Sequence, residues 1–162
     1  MKQIVLSLLV DNNPGVLARV ASLFSRRGYN IDTITAGATH NSKYTRITVT
    51  VSGDDRILEQ IRNQIAKLED VEKIVELEEK QSVCRELVLV KVLADKKDKQ
   101  DVIAIADVFR AKIVDVAVNS MIIELTGTKD KLDAFLNLMD DFEILELVRT
   151  GLTGLERGIN TL

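Results

Sequence analysis

Several residue types are scarce in this chain, and each shortage excludes something. A single cysteine, Cys84, leaves no disulfide to form within the chain, which fits a reducing compartment. A single histidine, His40, leaves no Cys/His set with the spacing of a structural zinc site. There is no tryptophan, only four phenylalanines and two tyrosines, and the formal net charge is -3. The chain therefore lacks the basic surplus and stacking aromatics of a generic nucleic-acid binder. One proline and eight glycines in 162 residues exclude a collagen-like composition. No apolar run approaches the roughly 20 residues that span a bilayer. Met1-Lys2-Gln3-Ile4 carries one lysine and no small-residue cleavage site, so it reads as a first strand rather than a signal peptide. A cytoplasmic location is the expectation.

What is present is a core. Hydrophobic residues make up 46% of the chain, and 22 basic and 25 acidic residues are interspersed among them, which excludes a disordered polymer. A single body of this size would bury about 69% of its unfolded surface.

The apolar periodicity switches between two and 3.6 in a repeating order. Ile4, Leu6, Leu8 and Val10 alternate, with Val5 and Leu9 between them, in a strand buried on both faces. After Asp11-Asn12-Asn13-Pro14-Gly15, the residues Val16, Leu17, Val20, Leu23 and Phe24 stripe a helix that stops near Gly28. Strands follow from Asn30 to Ala36 and from Tyr44 to Val51, then a helix marked by Leu58, Ile61, Ile65 and Leu68, then a strand over Val71 to Leu77. That is β-α-β-β-α-β. The order begins again beyond Glu78-Glu79-Lys80-Gln81, with strands at Leu87 to Leu93, Ile113 to Val118, Met121 to Leu125 and Ile144 to Val148. The helices between them are striped by Val102, Ile105, Ala106 and Phe109 and by Leu132, Phe135, Leu136 and Met139. The expected fold is α+β: two tandem ferredoxin-like βαββαβ domains, over residues 1–79 and 80–162, the second ending in a short C-terminal tail.

The two units are not copies. The central hairpin of the second is shorter, and Asp95-Lys96-Lys97-Asp98 replaces the Asn-Asn-Pro-Gly turn. Whatever the first turn does, the second is not expected to do. Each unit has one sheet face left to cover and only about 60% of its unfolded surface to bury, so pairing into at least a dimer is expected.

Catalytic constellations are absent from the sequence: there is no Gly-x-Ser-x-Gly elbow and no phosphate-binding Gly-x-x-x-x-Gly-Lys loop. Gly151, Gly154 and Gly158 lack dinucleotide-binding spacing and read as a mobile tail. His40 reads as an exposed loop residue, Cys84 as a small buried or half-buried one. Glu76, Glu78 and Glu79 read as a solvated strand end and linker. No catalytic residue and no metal ligand is assigned.

The informative element is Asp11-Asn12-Asn13-Pro14-Gly15-Val16. In one reading it only starts a helix, with Asn13 as N-cap and Pro14 in the first helical position. In the other, free backbone N–H groups and the positive end of the helix dipole make a site for a carboxylate, and Gly15 lets a ligand approach the backbone. The residue types leave both open.

Asp11 through Val20, followed by Phe24-Ser25-Arg26-Arg27-Gly28-Tyr29-Asn30-Ile31, resembles the start of the amino-acid-binding ACT domain. More narrowly, it is similar to the small regulatory subunit of acetolactate synthase (acetohydroxyacid synthase). In the second unit, Arg85-Glu86-Leu87, Phe109 through Val116, Gly127-Thr128 with Lys131 to Phe135, and Arg149-Thr150-Gly151 are similar to that subunit's C-terminal domain. The likeness covers essentially the whole chain. It implies regulation rather than catalysis: binding to a catalytic large subunit, activation of it, and feedback inhibition by valine or another branched-chain amino acid. Thiamine diphosphate, Mg and FAD would belong to that large subunit, with no cofactor on this chain. The resemblance also implies homodimers through the ACT domains, with effector at their interface lined by Asn12, Gly15 and Val16 and by Asn30 and Ile31 of the second copy. On this assignment the Gly15 and Val16 N–H groups take the effector carboxylate, the Asn12 and Asn30 amide oxygens suit its ammonium, and Val16 and Ile31 form an apolar wall. Residues 78–84 would carry any ACT rearrangement to the second unit.

The alternative is a stand-alone ACT-type amino-acid sensor acting on a different enzyme or a transcription factor. A small ferredoxin-like enzyme would need a phosphate loop and a committed acid, base or nucleophile. An RNA-binding sheet would need an aromatic pattern that Tyr44 and its neighbours do not make.

Overall fold

A computed structural model describes residues 1–162 and shows two compact units, Met1–Cys84 with Gly151–Leu162 and Arg85–Thr150. In the first, β1 (Lys2–Asp11), α1 (Val16–Arg27), β2 (Ile31–Ala38), β3 (Tyr44–Gly53), α2 (Asp55–Ala66) and β4 (Val71–Glu76) follow one another. Its antiparallel sheet has the order β2-β3-β1-β4. The period-two pattern of β1 explains its place: Ile4, Leu6, Leu8 and Val10 point to one face and meet Val51, Val49, Ile47 and Thr45 of β3. Val16, Val20, Leu23 and Phe24 of α1 and Leu58, Ile61 and Ile65 of α2 close that face into one core. A fully buried side chain of this kind contributes about 1.5–3 kcal/mol, so the alternation fixes the register.

The second unit holds most of β5 (Ser82–Leu93), α3 (Asp98–Phe109), β6 (Lys112–Val116), β7 (Ser120–Gly127), α4 (Lys129–Met139) and β8 (Ile144–Arg149), with the strand order β6-β7-β5-β8. Val88, Val90, Val92, Met121, Ile123, Leu125, Leu132, Phe135 and Met139 form its core. Phe109 meets Phe135 edge to face, with ring centroids 5.5 Å apart. Asp54 and Thr128 cap α2 and α4 by accepting from Ile57 N–H and Lys131 N–H.

The C-terminal stretch differs from the expected tail. Thr153–Glu156 forms a strand, β9, paired with β5, and Gly151–Leu162 groups with the first unit. It lies on the sheet face away from α1 and α2, where Leu152 C=O accepts from Thr35 Oγ1 at 3.4 Å and Arg157 N–H donates to Gln81 C=O at 2.7 Å. The physical reason is a close approach: a Cβ on Gly154 would stand 2.6 Å from Cys84 Sγ and 2.7 Å from the Val83 carbonyl oxygen. Glycine serves here to admit a neighbouring strand. The uncovered sheet face anticipated for the first unit is thus partly covered by the chain itself.

Residues 78–84 are not a loose linker. Ser82 Oγ donates to Glu78 C=O at 2.6 Å and Gln81 N–H donates to the same carbonyl at 3.0 Å, so a tight turn leads straight into β5. No helix is long and apolar enough to cross a membrane.

Candidate functional site

The connection from β1 to α1 is where sequence and geometry meet. Gly15 has φ 84° and ψ -5°, and Val16 N–H reaches Asn13 C=O at 3.4 Å. Asn13-Pro14-Gly15-Val16 is therefore a turn of type II geometry at its third position, where a left-handed residue is required and proline favours the position before it. This corrects the helix-start reading of the sequence: Gly15, not Asn13, is the N-cap, it supplies no side-chain cap, and α1 begins at Val16 rather than Pro14. The left-handed demand of Gly15 outweighs the capping preference of Asn13. The first-turn N–H groups of α1 face out of the helix with no partner inside it, together with the positive end of the dipole.

Two groups hold this turn in place. Asn12 is tied to the β2–β3 loop and to the start of β3: its N–H donates to Lys43 C=O at 2.8 Å, its Nδ2 to Ser42 C=O at 3.0 Å, and its Oδ1 accepts from Thr45 Oγ1 of β3 at 3.1 Å. One lone pair of Oδ1 remains for a ligand. Arg19, one helical turn beyond Gly15, grips Asp70 with two bonds of 2.6 and 3.1 Å. That pairing raises the Arg19 guanidinium above its ordinary pKa and lowers the Asp70 carboxyl below its own, the hydrogen bond being the largest cause in both. Asp11 N–H donates to Asp70 C=O at 2.9 Å, so Asp70 braces both the strand end and the helix. A Cβ on Gly15 would stand 3.0 Å from Arg19 Nη1. Sequence reasoning missed Arg19 and Asp70 as positioning residues; the four-residue step from Gly15 to Arg19 on a helix was the only available signal.

The structure separates the remaining candidates. The Val16 side chain is 3% exposed and belongs to the core, so it cannot form the apolar wall expected of it and offers a ligand only its backbone. Asn30 donates to Asp32 Oδ1 at 3.2 Å, and Asp32 in turn accepts from Gln3 and Ser52. Ile31 is half-buried against the core and pairs with Val51, which pairs with Ile4, whereas Asp11 pairs with Tyr44. Seven residues along β1 at about 3.4 Å each set the two groups about 24 Å apart in one chain. Asn12, Gly15 and Val16 stand together at one end of the sheet; Ile31, the first residue of the edge strand β2, and Asn30 just before it stand at the other.

His40 is exposed in the β2–β3 loop, and Glu76 pairs with Arg62. No group of three or more His, Cys, Asp and Glu side chains is placed to hold a metal ion.

Comparison with known proteins gives a consistent result. A family model described as the small subunit of acetolactate synthase matches residues 85–158, and one described as an AHAS small subunit-like ACT domain matches residues 6–73. A Mycolicibacterium smegmatis protein named acetolactate synthase small subunit is 49% identical over 153 residues, 94% of this chain and 90% of the relative. One of that name from Haemophilus influenzae is 43% identical over 155 residues, 95% of each. The crystal structure of the Thermotoga maritima acetolactate synthase small subunit superposes with a TM-score of 0.90 at 39% identity, covering 99% of this chain and all of that one.

Proposed function

Because the chain belongs to the acetolactate synthase small subunit family, we propose that it binds the catalytic large subunit, raises its activity and confers feedback inhibition by valine. The chemistry of that enzyme, with its thiamine diphosphate, Mg and FAD, would reside wholly in the large subunit. Effector would be held between two copies of this chain joined through their ACT domains.

The observation that carries this reading is the placement of the two half-sites. Antiparallel pairing of the β2 edge with the same edge of a second copy would bring Asn30 and Ile31 of one chain toward the sheet end that bears Asn12, Gly15 and Val16 of the other. Open N–H groups at the start of α1 suit the effector carboxylate, and the Asn12 and Asn30 amide oxygens suit its ammonium. Ile31 supplies the apolar contact alone. One methylene in such a pocket is worth about 1–3 kcal/mol, so leucine and isoleucine would overlap with valine.

Calorimetric titration of the protein with valine, before and after Gly15→Asp, tests the site. Asp at φ 84° is strained and puts a carboxylate where the effector's would lie. A still-folded variant should lose effector binding and, reconstituted with the large subunit, should activate it without inhibition by valine. Unchanged inhibition in that variant would refute the site assignment; failure of the wild-type chain to activate any large subunit would refute the function.

A further inference from the structure

We propose that the first unit carries a second ligand site, a cavity between its sheet and its C-terminal segment that takes a small aliphatic amino acid as a zwitterion. The cavity has a volume of about 240 Å³, and Arg46, Val75, Leu77, Glu156 and Asn160 are among its lining residues. One water needs about 10–15 Å³ of such space, so the opening has room for a small organic molecule of several heavy atoms. All of it lies within residues assigned to the first unit.

The lining explains the class of ligand. Arg46 sits on the sheet face away from α1, half-buried, and one Nη1 bond of 3.0 Å to the fully buried Ser7 Oγ fixes it there. It has no carboxylate partner within ion-pair distance, so its charge is left to a ligand or to water. Glu156 is also half-buried and lines the same space without an ion pair. The alternation of β9 puts Glu156 on the same covered side as Gly154, which packs on Cys84 and Leu77. Val75, opposite Ser7 on β1, and Leu77, 5% exposed, give the cavity an apolar wall. A cation and an anion left apart around an apolar pocket match a molecule with a carboxylate, an ammonium and a short hydrocarbon side chain. The start of α1 lies on the other face of the sheet, so this site is separate from the turn at Gly15 and does not depend on the function proposed above.

Titration of the whole protein with L-valine and L-leucine, alongside 3-methylbutanoate and 2-methylpropylamine, tests the proposal. The wild-type protein should show two saturable events per chain. Arg46→Met and Glu156→Gln should each weaken one of them at least tenfold and spare the other, which Gly15→Asp should remove. The analogues lacking ammonium or carboxylate should bind the Arg46-dependent site at least tenfold more weakly than the amino acids. Binding that is unchanged in both variants would overturn the cavity site while leaving the turn at Gly15 standing; a single event lost on Arg46→Met but kept in Gly15→Asp would do the reverse. Should Arg46→Met fail to fold, Glu156→Gln, in a terminal segment, and the analogue series decide alone: equal affinity of amino acid and analogues would overturn the site.

Discussion

Replacing Arg149 with methionine should destabilise the second unit by about 3 kcal/mol, chiefly through the carboxylate it strands. Arg149 donates from Nε and Nη2 to the two oxygens of Glu86 at 2.9 and 2.8 Å and from Nη1 to Asp133 at 2.8 Å. Its guanidinium is held above its ordinary pKa, first by the bond to Glu86 against the cost of burial. The side-chain exposures are 5% for Glu86, 28% for Arg149 and 43% for Asp133. Losing one partner of a buried pair costs about 3–5 kcal/mol, and the open side of this one places Arg149→Met at the low end. Glu86→Ala leaves a guanidinium that can reach water and still holds Asp133, so about 1–2 kcal/mol is expected. Asp133→Asn should cost about 0.5 kcal/mol, as for an exposed pair. Combining Glu86→Gln with Arg149→Met removes both charges and should recover part of the single-variant loss. Urea unfolding, with amide exchange on β5 and β8 to follow this unit alone, measures the series. Arg149→Met within about 0.5 kcal/mol of wild type, or milder than Glu86→Ala, would refute the reasoning.

Two further perturbations follow from local geometry. Asp95 is held below its ordinary pKa by the N–H groups of Asp98 and then Lys97, so it adds stability above its unfolded pKa of about 3.9 that is lost as pH falls through the lower folded value. Asp95→Asn does not titrate, and acid unfolding monitored by circular dichroism should show the gap between wild type and variant closing below about pH 4; a constant gap would contradict the assignment. Gly154→Ala places a methyl against Cys84 Sγ and the Val83 carbonyl, so limited proteolysis should cut residues 151–162 faster than in wild type, and an unchanged rate would show that the segment tolerates displacement.

The regular elements were legible because burial imposes period two on β1, β3, β5 and β7 and 3.6 on the helices. What escaped the sequence depends on neighbours that sequence cannot place. Asn13 and Pro14 satisfy every local rule for a helix start, yet the left-handed residue needed two positions later moved the start to Val16 and turned its side chain into the core. β9 is four residues long, too short for any periodicity, and its glycine looks like flexibility until Cys84 is seen beneath it. Arg149 and Glu86 lie 63 positions apart and become a pair only when β5 and β8 lie side by side. The register of β2 on β3 and of β3 on β1 sets Ile31 and Asp11 at opposite ends of the sheet, a separation that no local pattern in the sequence shows.

The divergence between the two βα turns has a chemical content that the sequence shows only as a change of composition. Each turn joins strand to helix through four residues, 12–15 in the first unit and 94–97 in the second. By position Asp95 stands where Asn13 does, and Lys97 and Asp98 stand where Gly15 and Val16 do. In the second unit the Asp95 carboxylate accepts from Lys97 N–H at 2.7 Å and from Asp98 N–H at 2.9 Å. Those are the equivalents of the two N–H groups assigned above to an effector carboxylate. The second turn thus carries its own carboxylate on the groups that the first presents without one: the Asn13 side chain does not cap α1, and only the long 3.4 Å contact to the Asn13 carbonyl engages Val16 N–H. An intramolecular carboxylate competes with a dissolved one at a high effective concentration, so the second turn is closed to an external acid while the first remains open to it. On this argument Asn13→Asp would give the first turn a carboxylate of its own, and should weaken valine binding without disturbing the two sheets.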